Sequence, residues 1–526
     1  MPRYKPYDYR QSWMVSIAPE DQFLEGSLEY ALHHLIEERI DDSWFDALYA
    51  NDETGRPAYS PKLLLKVILL AYSRGIIGSR RIERACADNL TFMALCCGIR
   101  PDHSTLASFI GRLDGRMEKI FAEVLMVCHA EGLLSGTHLS IDGLKLPSNA
   151  SREWSGTFHD LRLKAGKIER KLKEKLTEHR RQDRLDRQHP ERTVPPERDP
   201  KKERQNRLAA IERLRQKAAR IHTFLETEEP KAGAHGNEIQ SNITDNDSAK
   251  MQTGHGVIEG YNAQAIVDGK NQIILHGLPS GSGQDHRQIE AVLEGTQAML
   301  VLAGINAALP LEKAVLTADC NYHSETNLAA CEHYGVDAYI PDNHFRSRDP
   351  RFATQERHRA RHRQEGARLE VKKIQVQLSD FHHDPASDTY QCPQGKNLTL
   401  QSSGHRTGDG LTYRRYRSKA RDCEGCPLKA KCIARGGQRK SLAIPVGNQP
   451  GTRTARMRQK IDTLEARKLY ARRSSIVEPV FGNIRFNKKL DHFTYRGLKK
   501  VSVQWSLYCL VHNIEKLAHF GKKYGA

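Results

Sequence analysis

The feature that most constrains this chain is a short apolar run that stops at an aspartate, met twice. Leu139-Ser140-Ile141 ends at Asp142, and Val315-Leu316-Thr317-Ala318 ends at Asp319. Around them the pattern alternates between strand and helix periods. Thr137 to Asp142 is strand-like, and Tyr261 to Asp268 with Gln272 to Leu278 form a hairpin through Asp268-Gly269-Lys270. Residues 285–303 have helical apolar spacing, Lys313 to Ala318 is a strand, Ser324 to Tyr334 a helix, and Val336 to Ile340 a strand closed by Pro341. Strands alternating with helices predict a mixed α/β sheet.

That rhythm is interrupted. Residues 159–186 and 200–226 are two strongly charged helical patterns around a Pro-rich bend, a helical hairpin set into another domain. Residues 342–453 are a second interruption, Arg- and His-rich from Arg346 to Arg368, then polar and β-like around a group of cysteines. The chain therefore divides into 1–135, 136–160, 161–230, 231–341, 342–453 and 454–526, within the two or three domains its 526 residues allow. The first segment reads as all-helical: one helix opens at Ser60-Pro61, a second runs from Ser79 to Cys97, and a third from Asp102 or Ser104 to about His129. Such short helices suit a helix-turn-helix-like DNA reader or an ordinary helical module. The last segment is helical again, with Met457, Ile461 and Leu464 on one face, then Ile476–Arg485 and Gly497–Leu517.

Charge is unevenly spread. The net is +18, yet Leu161 to Glu226 holds 21 basic against 11 acidic residues and Gly451 to Ala526 holds 17 against 5, leaving the remainder slightly acidic. Two basic blocks point to a polyanionic partner. The longest apolar run, Leu63 to Ala71, is interrupted by Lys66, and MPRYKPYDYRQSW lacks a secretory apolar stretch. No membrane partner and a soluble, cytoplasmic protein are expected. Cys96, Cys97, Cys128, Cys331 and Cys509 sit in apolar contexts as reduced thiols, not a disulfide framework.

Asp142 and Asp319, just past strand ends, are placed to converge on a metal; each alone also reads as a turn former. Glu478 is the third acidic candidate. Ser475-x-x-Glu478 also reads as a capping box, with Pro479 in a first helical turn. Tyr470, Arg472 and Arg473 precede it and Arg485, Lys488 and Lys489 follow, a carboxylate among cations suited to phosphate and magnesium. Asp245, Asp247 and Asp268 read as turn residues, Asp245 being the first exception to test. Cys392, Cys423-x-x-Cys426 and Cys432 have the spacing of a structural zinc site, or are reduced cysteines near turns.

Several fragments occur in a telling order: Ile141-Asp142-Gly143 with Ser148-Asn149-Ala150-Ser151, Gly260-Tyr261-Asn262-Ala263-Gln264, Ala318-Asp319-Cys320-Asn321-Tyr322-His323-Ser324, Val477-Glu478-Pro479-Val480-Phe481-Gly482 and Tyr495-Arg496-Gly497-Leu498. Together they resemble bacterial insertion-sequence DDE transposases. Gly55-Arg56-Pro57, Ser60-Pro61 and Pro101-Asp102-His103-Ser104-Thr105-Leu106 look like the N-terminal helical domain of such enzymes. The resemblance implies a ribonuclease-H-like catalytic core in segments 136–160, 231–341 and 454–526, and an N-terminal helical domain that binds DNA ends. It implies Asp142, Asp319 and Glu478 as ligands of magnesium or manganese, and DNA contacts from Tyr470, Arg472, Arg473, Arg485, Lys488, Lys489 and Arg496. The implied partners are double-stranded DNA, as terminal inverted repeats and target, and a second copy of the chain. The implied activity is DNA cleavage and strand transfer. A catalytically inactive DNA-binding derivative is the alternative.

Overall fold

The computed structural model describes residues 18–46, 49, 51, 57–188, 200–233, 237–254, 256–352, 376, 378–406, 412–433, 436–445 and 452–524. Gly55-Arg56, the Pro-rich bend and most of the Arg346–Arg368 run lie outside those residues. Among the described residues no helix is long and apolar enough to cross a membrane.

Six strands form the central sheet: β1 (His138–Pro147), β2 (Ala249–Thr253), β3 (Gly256–Asp268), β4 (Ile274–Ser280), β5 (Val315–Ala318) and β6 (Asp337–Tyr339). Their order is β2-β3-β1-β5-β6, with β4 also paired to β3. β3 runs antiparallel to β1, and β4 antiparallel to β3. β5 runs parallel to β1 and β6 parallel to β5. This is the mixed α/β sheet expected from the sequence. Parallel neighbours need crossovers, and the helices Ile289–Leu302 and Glu325–His333 supply them. In register, Ile141 lies opposite Ala318, so Asp142 and Asp319 leave the parallel ladder side by side.

The helix Leu498–Phe520 anchors one face of this sheet. Fourteen of its residues are buried, among them Trp505, Tyr508 and Asn513. Asn513 accepts from the Ile274 N–H and donates to the Ile274 carbonyl, 2.8 Å each, and the Trp505 indole N–H reaches the Gln264 carbonyl at 3.0 Å. The N-terminal helices pack on the same helix. Pro61–Ser73 is buried continuously from Leu63 to Tyr72, and Tyr72 stacks on Tyr508 at 4.8 Å. One apolar cluster thus runs from Phe23 to Tyr524.

Local chemistry breaks two expected helices. Ser79–Cys97 becomes Ser79–Asp88 and Leu90–Leu95, because the Asn89 side chain leaves the helix and caps the Thr91 and Phe92 N–H groups. The helix starting at Asp102, which caps Ser104 and Thr105, stops at Arg112; a new one, Met117–Ala130, begins after Gly115 at φ +71°. Leu464 is exposed rather than on the Met457–Ile461 face, since Thr463 caps a separate helix, Leu464–Gly482.

Both insertions keep cores of their own. The charged hairpin is the helix pair Phe158–Gln188 and Pro200–Thr227. At its root Ser155–Gly156 pairs with Ser241–Asn242, around Trp154, Phe158, Leu161, Ile221 and Phe224. The second insertion contains a five-stranded antiparallel sheet whose neighbours follow chain order: His382–Asp384, Thr389–Gln391, Asn397–Arg406, Thr412–Arg417 and Ser441–Pro445.

Register at the β1–β3 ladder leaves no room for a side chain at Gly260, where a Cβ would lie 2.1 Å from the Leu146 carbonyl oxygen. Gly260→Ala is expected to destabilise by about 1–3 kcal/mol, read as a lowered Tm in thermal unfolding. Gly254→Ala, with nothing within 4 Å of its Cβ, serves as control and leaves Tm in place.

Candidate active site

Asp142 sits in mid-β1, where the strand continues with β3 after β5 has ended. Its Oδ1 accepts from the Gly143 N–H at 2.9 Å, and its Oδ2 accepts from Arg473 Nη2 at 2.6 Å. Asp319 caps the turn Cys320–Tyr322 through the Cys320 N–H at 2.8 Å. Burial pushes the Asp142 carboxyl up to about 6; Arg473 opposes that, while Asp319 and Asp285 add to it. Desolvation therefore outweighs the ion pair. The site is a cluster of acids with a guanidinium standing where cationic charge is needed.

Asp285 is a site residue that the sequence pattern does not single out. It is buried, and its Oδ1 accepts from Asn262 Nδ2 at 2.7 Å and Gln264 Nε2 at 3.1 Å. The buried Tyr322 hydroxyl donates to Gln264 Oε1. A Cβ on Gly143 would meet Gln264 Nε2 at 2.2 Å, so glycine beside Asp142 lets this polar row lie against β1. The available signal was two amides two apart, Asn262 and Gln264, on an otherwise apolar strand: period two puts them on one face.

The helix Leu464–Gly482 passes the site antiparallel to β1. Tyr470, with Asp319 and Cys320 as electrostatic neighbours, comes first; burial pushes its phenol up to about 12. Arg473 follows, reaching Asp142. Then Ile476 packs against Gly269 beside the His138 carbonyl at the start of β1, and the Ser475 carbonyl accepts from Gln272 Nε2 at 2.8 Å. Pro479 explains that last bond: it has no N–H to offer the carbonyl four residues back, and Gln272 replaces it. Ser475 is mid-helix, with its hydroxyl on the Arg472 carbonyl, so the capping-box reading and the first-turn reading of Pro479 are both corrected.

Glu478 lies exposed on that helix, five residues and about 7.5 Å of helix axis past Arg473. Asp142 and Asp319 stand side by side in register, and among the described residues no three His, Cys, Asp or Glu side chains are gathered into a metal-binding group. Of the expected DNA contacts, Arg472, Arg485, Lys489 and Arg496 are exposed, with Arg496 Nε on the Asn149 carbonyl at 2.7 Å. Lys488 is a correction. It is fully buried with its ammonium on Glu515, so it serves the core and not DNA. Asp245 accepts from the Tyr261 hydroxyl and the Gly497 N–H, Asp247 from the Leu498 N–H, and Asp268 from the Ser135 and Gly136 N–H groups; all three hold loops in place. Cys392, Cys423, Cys426 and Cys432 line a separate cavity in the second insertion.

The strand expected to stop at Asp142 runs on to Pro147, so only Asp319 follows a strand end; the two carboxylates, adjacent in register, are the oxygen ligands that suit a hard divalent cation. Residues 391–518 match the protein family described as Transposase DDE domain, and residues 18–112 match the one described as Transposase domain (DUF772). Two separate stretches of the chain are thus similar to transposase domains. The DDE-domain match spans the cysteines, Tyr470, Arg473 and Glu478, whereas Asp142 and Asp319 lie before it. No curated protein and no solved structure matches the chain.

The Asp142 proton stabilises the folded chain fully below the ordinary value of 3.8, and that contribution fades as pH climbs through about 6. In the chain labelled with 13C at aspartate carboxyls, one resonance, absent from Asp142→Asn, is expected to titrate near pH 6. In Arg473→Gln its midpoint moves higher, because the guanidinium that opposes burial is gone. A midpoint below 4 in the wild type overturns this assignment.

Proposed function

We propose that the chain is a DDE-type transposase that binds the ends of an insertion sequence and catalyses metal-dependent DNA cleavage and strand transfer. The observation that carries this reading is Asp142 and Asp319 side by side where the β1–β5 ladder ends, with Arg473 paired to Asp142 and solvent-facing cations on the same stretch of chain, in a chain with two stretches similar to transposase domains. Asp142 and Asp319 would hold magnesium or manganese. When bound, such ions activate water or a DNA 3′-hydroxyl for in-line attack on a phosphodiester and stabilise the leaving oxygen.

The chain's own residues do the rest. Asp142, half-protonated near pH 6, gives up its proton as positive charge arrives. Arg473, held by Asp142 through Nη2, keeps a fixed cation beside the acids. Tyr322, Gln264 and Asn262 fix Asp285 behind the pair. Arg472, Arg485, Lys489 and Arg496 supply backbone grip, and the charged hairpin supplies more, further from the site. Two copies on two DNA ends belong to the same reading.

Strand cleavage of element-end DNA with magnesium tests this. Asp142→Asn and Asp319→Asn are each expected to lose on the order of 10²–10³-fold, the cost of removing one charge-stabilising group. Glu478→Gln is expected to lose as much. Full cleavage by Glu478→Gln together with loss in Asp285→Asn would transfer the third position to Asp285. Binding without cleavage by the wild type supports the inactive alternative.

DNA affinity read against salt gives a second test. Replacing Arg485, Lys489 and Arg496 together by Gln is expected to flatten the slope of log K against log salt by about 2–3, at about 0.9 for each phosphate no longer neutralised. An unchanged slope removes these residues from the DNA path.

A further inference from the structure

The second insertion presents a site that transposition chemistry does not use. Its sheet has a very small core: Val376, Phe381, Leu398, Tyr416 and Leu442 are its buried apolar residues. A unit this small usually needs a staple beyond its apolar contacts. Its cysteines are placed to provide one. Cys392, Cys423, Cys426 and Cys432 come from three separate stretches of chain yet line one cavity of about 30 Å³, room for a single ion. All four are free of disulfides.

Their backbone settings are those of ligand-bearing turns. Cys392 opens a tight turn: its N–H donates to the Lys396 carbonyl and its carbonyl accepts from the Gly395 N–H, 2.8 Å each. The Lys396 N–H then points at Cys392 Sγ at 3.4 Å, fixing the sulfur's place at the turn. Cys423 and Cys426 flank Gly425, whose φ of +77° turns the chain between them, and the Ser418 hydroxyl lies 3.1 Å from Cys423 Sγ. Cys432 ends the turn Lys429–Cys432, and Cys423, Cys392 and Cys426 all act electrostatically on its thiol. Lys440 donates to the Cys432 carbonyl at 3.0 Å, placing a cation beside the group, where four thiolates around a dication would leave net negative charge.

We propose that Cys392, Cys423, Cys426 and Cys432 bind one zinc ion as thiolates, in a structural site independent of the acidic cluster. The thiols line the cavity without yet being gathered into a metal-binding group; binding draws the four sulfurs in around the ion and releases their protons. A closed four-sulfur shell leaves no open position for a substrate, so the ion fixes the fold of residues 376–445 and takes no part in cleavage.

The full chain, purified without chelator and analysed for metals, is expected to hold about one zinc per molecule. Cys423→Ser and Cys426→Ser are expected to lose about tenfold or more of it, while Cys97→Ser, at an exposed thiol outside the insertion, keeps it. Because those variants can misfold, cobalt loading of the wild type supplies an independent reading. Strong visible bands with thiolate-to-cobalt charge transfer are expected for a tetrahedral sulfur site. Absence of zinc with a weak, octahedral cobalt spectrum overturns the proposal. Metal content and spectrum are read without DNA, so the outcome stands apart from whether the chain cleaves DNA.

Discussion

The whole arrangement depends on one helix, Leu498–Phe520, having almost no polar face to spare. A helix buried all round must be covered on every side. The sheet covers one side through β4, where Asn513 takes both hydrogen bonds of Ile274. The N-terminal helices cover another, with Tyr72 stacked on Tyr508. Removing either cover would expose a large apolar surface, which is why a single apolar cluster joins the first helices to the last. Trp505 extends that dependence to the acidic site, because its indole holds the backbone of Gln264, whose side chain in turn holds Asp285.

A second constraint acts along Leu464–Gly482. The helix must place Arg473 against a half-buried aspartate while carrying a proline one and a half turns later. Proline there breaks the hydrogen-bond ladder at the Ser475 carbonyl, and only the outside donor Gln272, from the β3–β4 turn, repairs it. The helix is thereby fastened to the base of the sheet just below the acids. Its continuation into a π-helical turn, Asn483–Asn487, is a further irregularity on the same stretch.

What is legible in the sequence follows from period and terminator. β3, β4, β5 and β6, each an apolar run with a clear stop, are readable, as is the adjacency of Asp142 and Asp319; the end of β1 is not, because past Asp142 the strand continues to Pro147 on its pairing with β3. The charged helices are readable because nothing in them competes with helical spacing. Asn89 and Gly115 are not, because a side-chain cap and a left-handed glycine act over one residue, below the reach of a periodic pattern. Lys488 misleads for a different reason: charge in a sequence says nothing about burial until its partner, Glu515 on another helix, is known. Asp285 escapes notice because its meaning lies in amides on a distant strand. Glu478 can be judged only from its flanking residues, and the break made by Pro479 is repaired by Gln272, far away in sequence.

The root of the charged hairpin has a consequence for how such a chain can vary. Ser155–Gly156 and Ser241–Asn242 are hydrogen-bonded neighbours, so the chain returns almost to the point it left. The first arm alone, 31 residues of helix, is about 46 Å long, longer than a full turn of duplex DNA. An excursion that begins and ends at the same place puts no tension on the sheet. It can lengthen, shorten or vanish in whole turns while β1 and β3 keep their register. In that sense the hairpin behaves as a ruler clamped at one end, its span free to drift while the acidic site stays fixed.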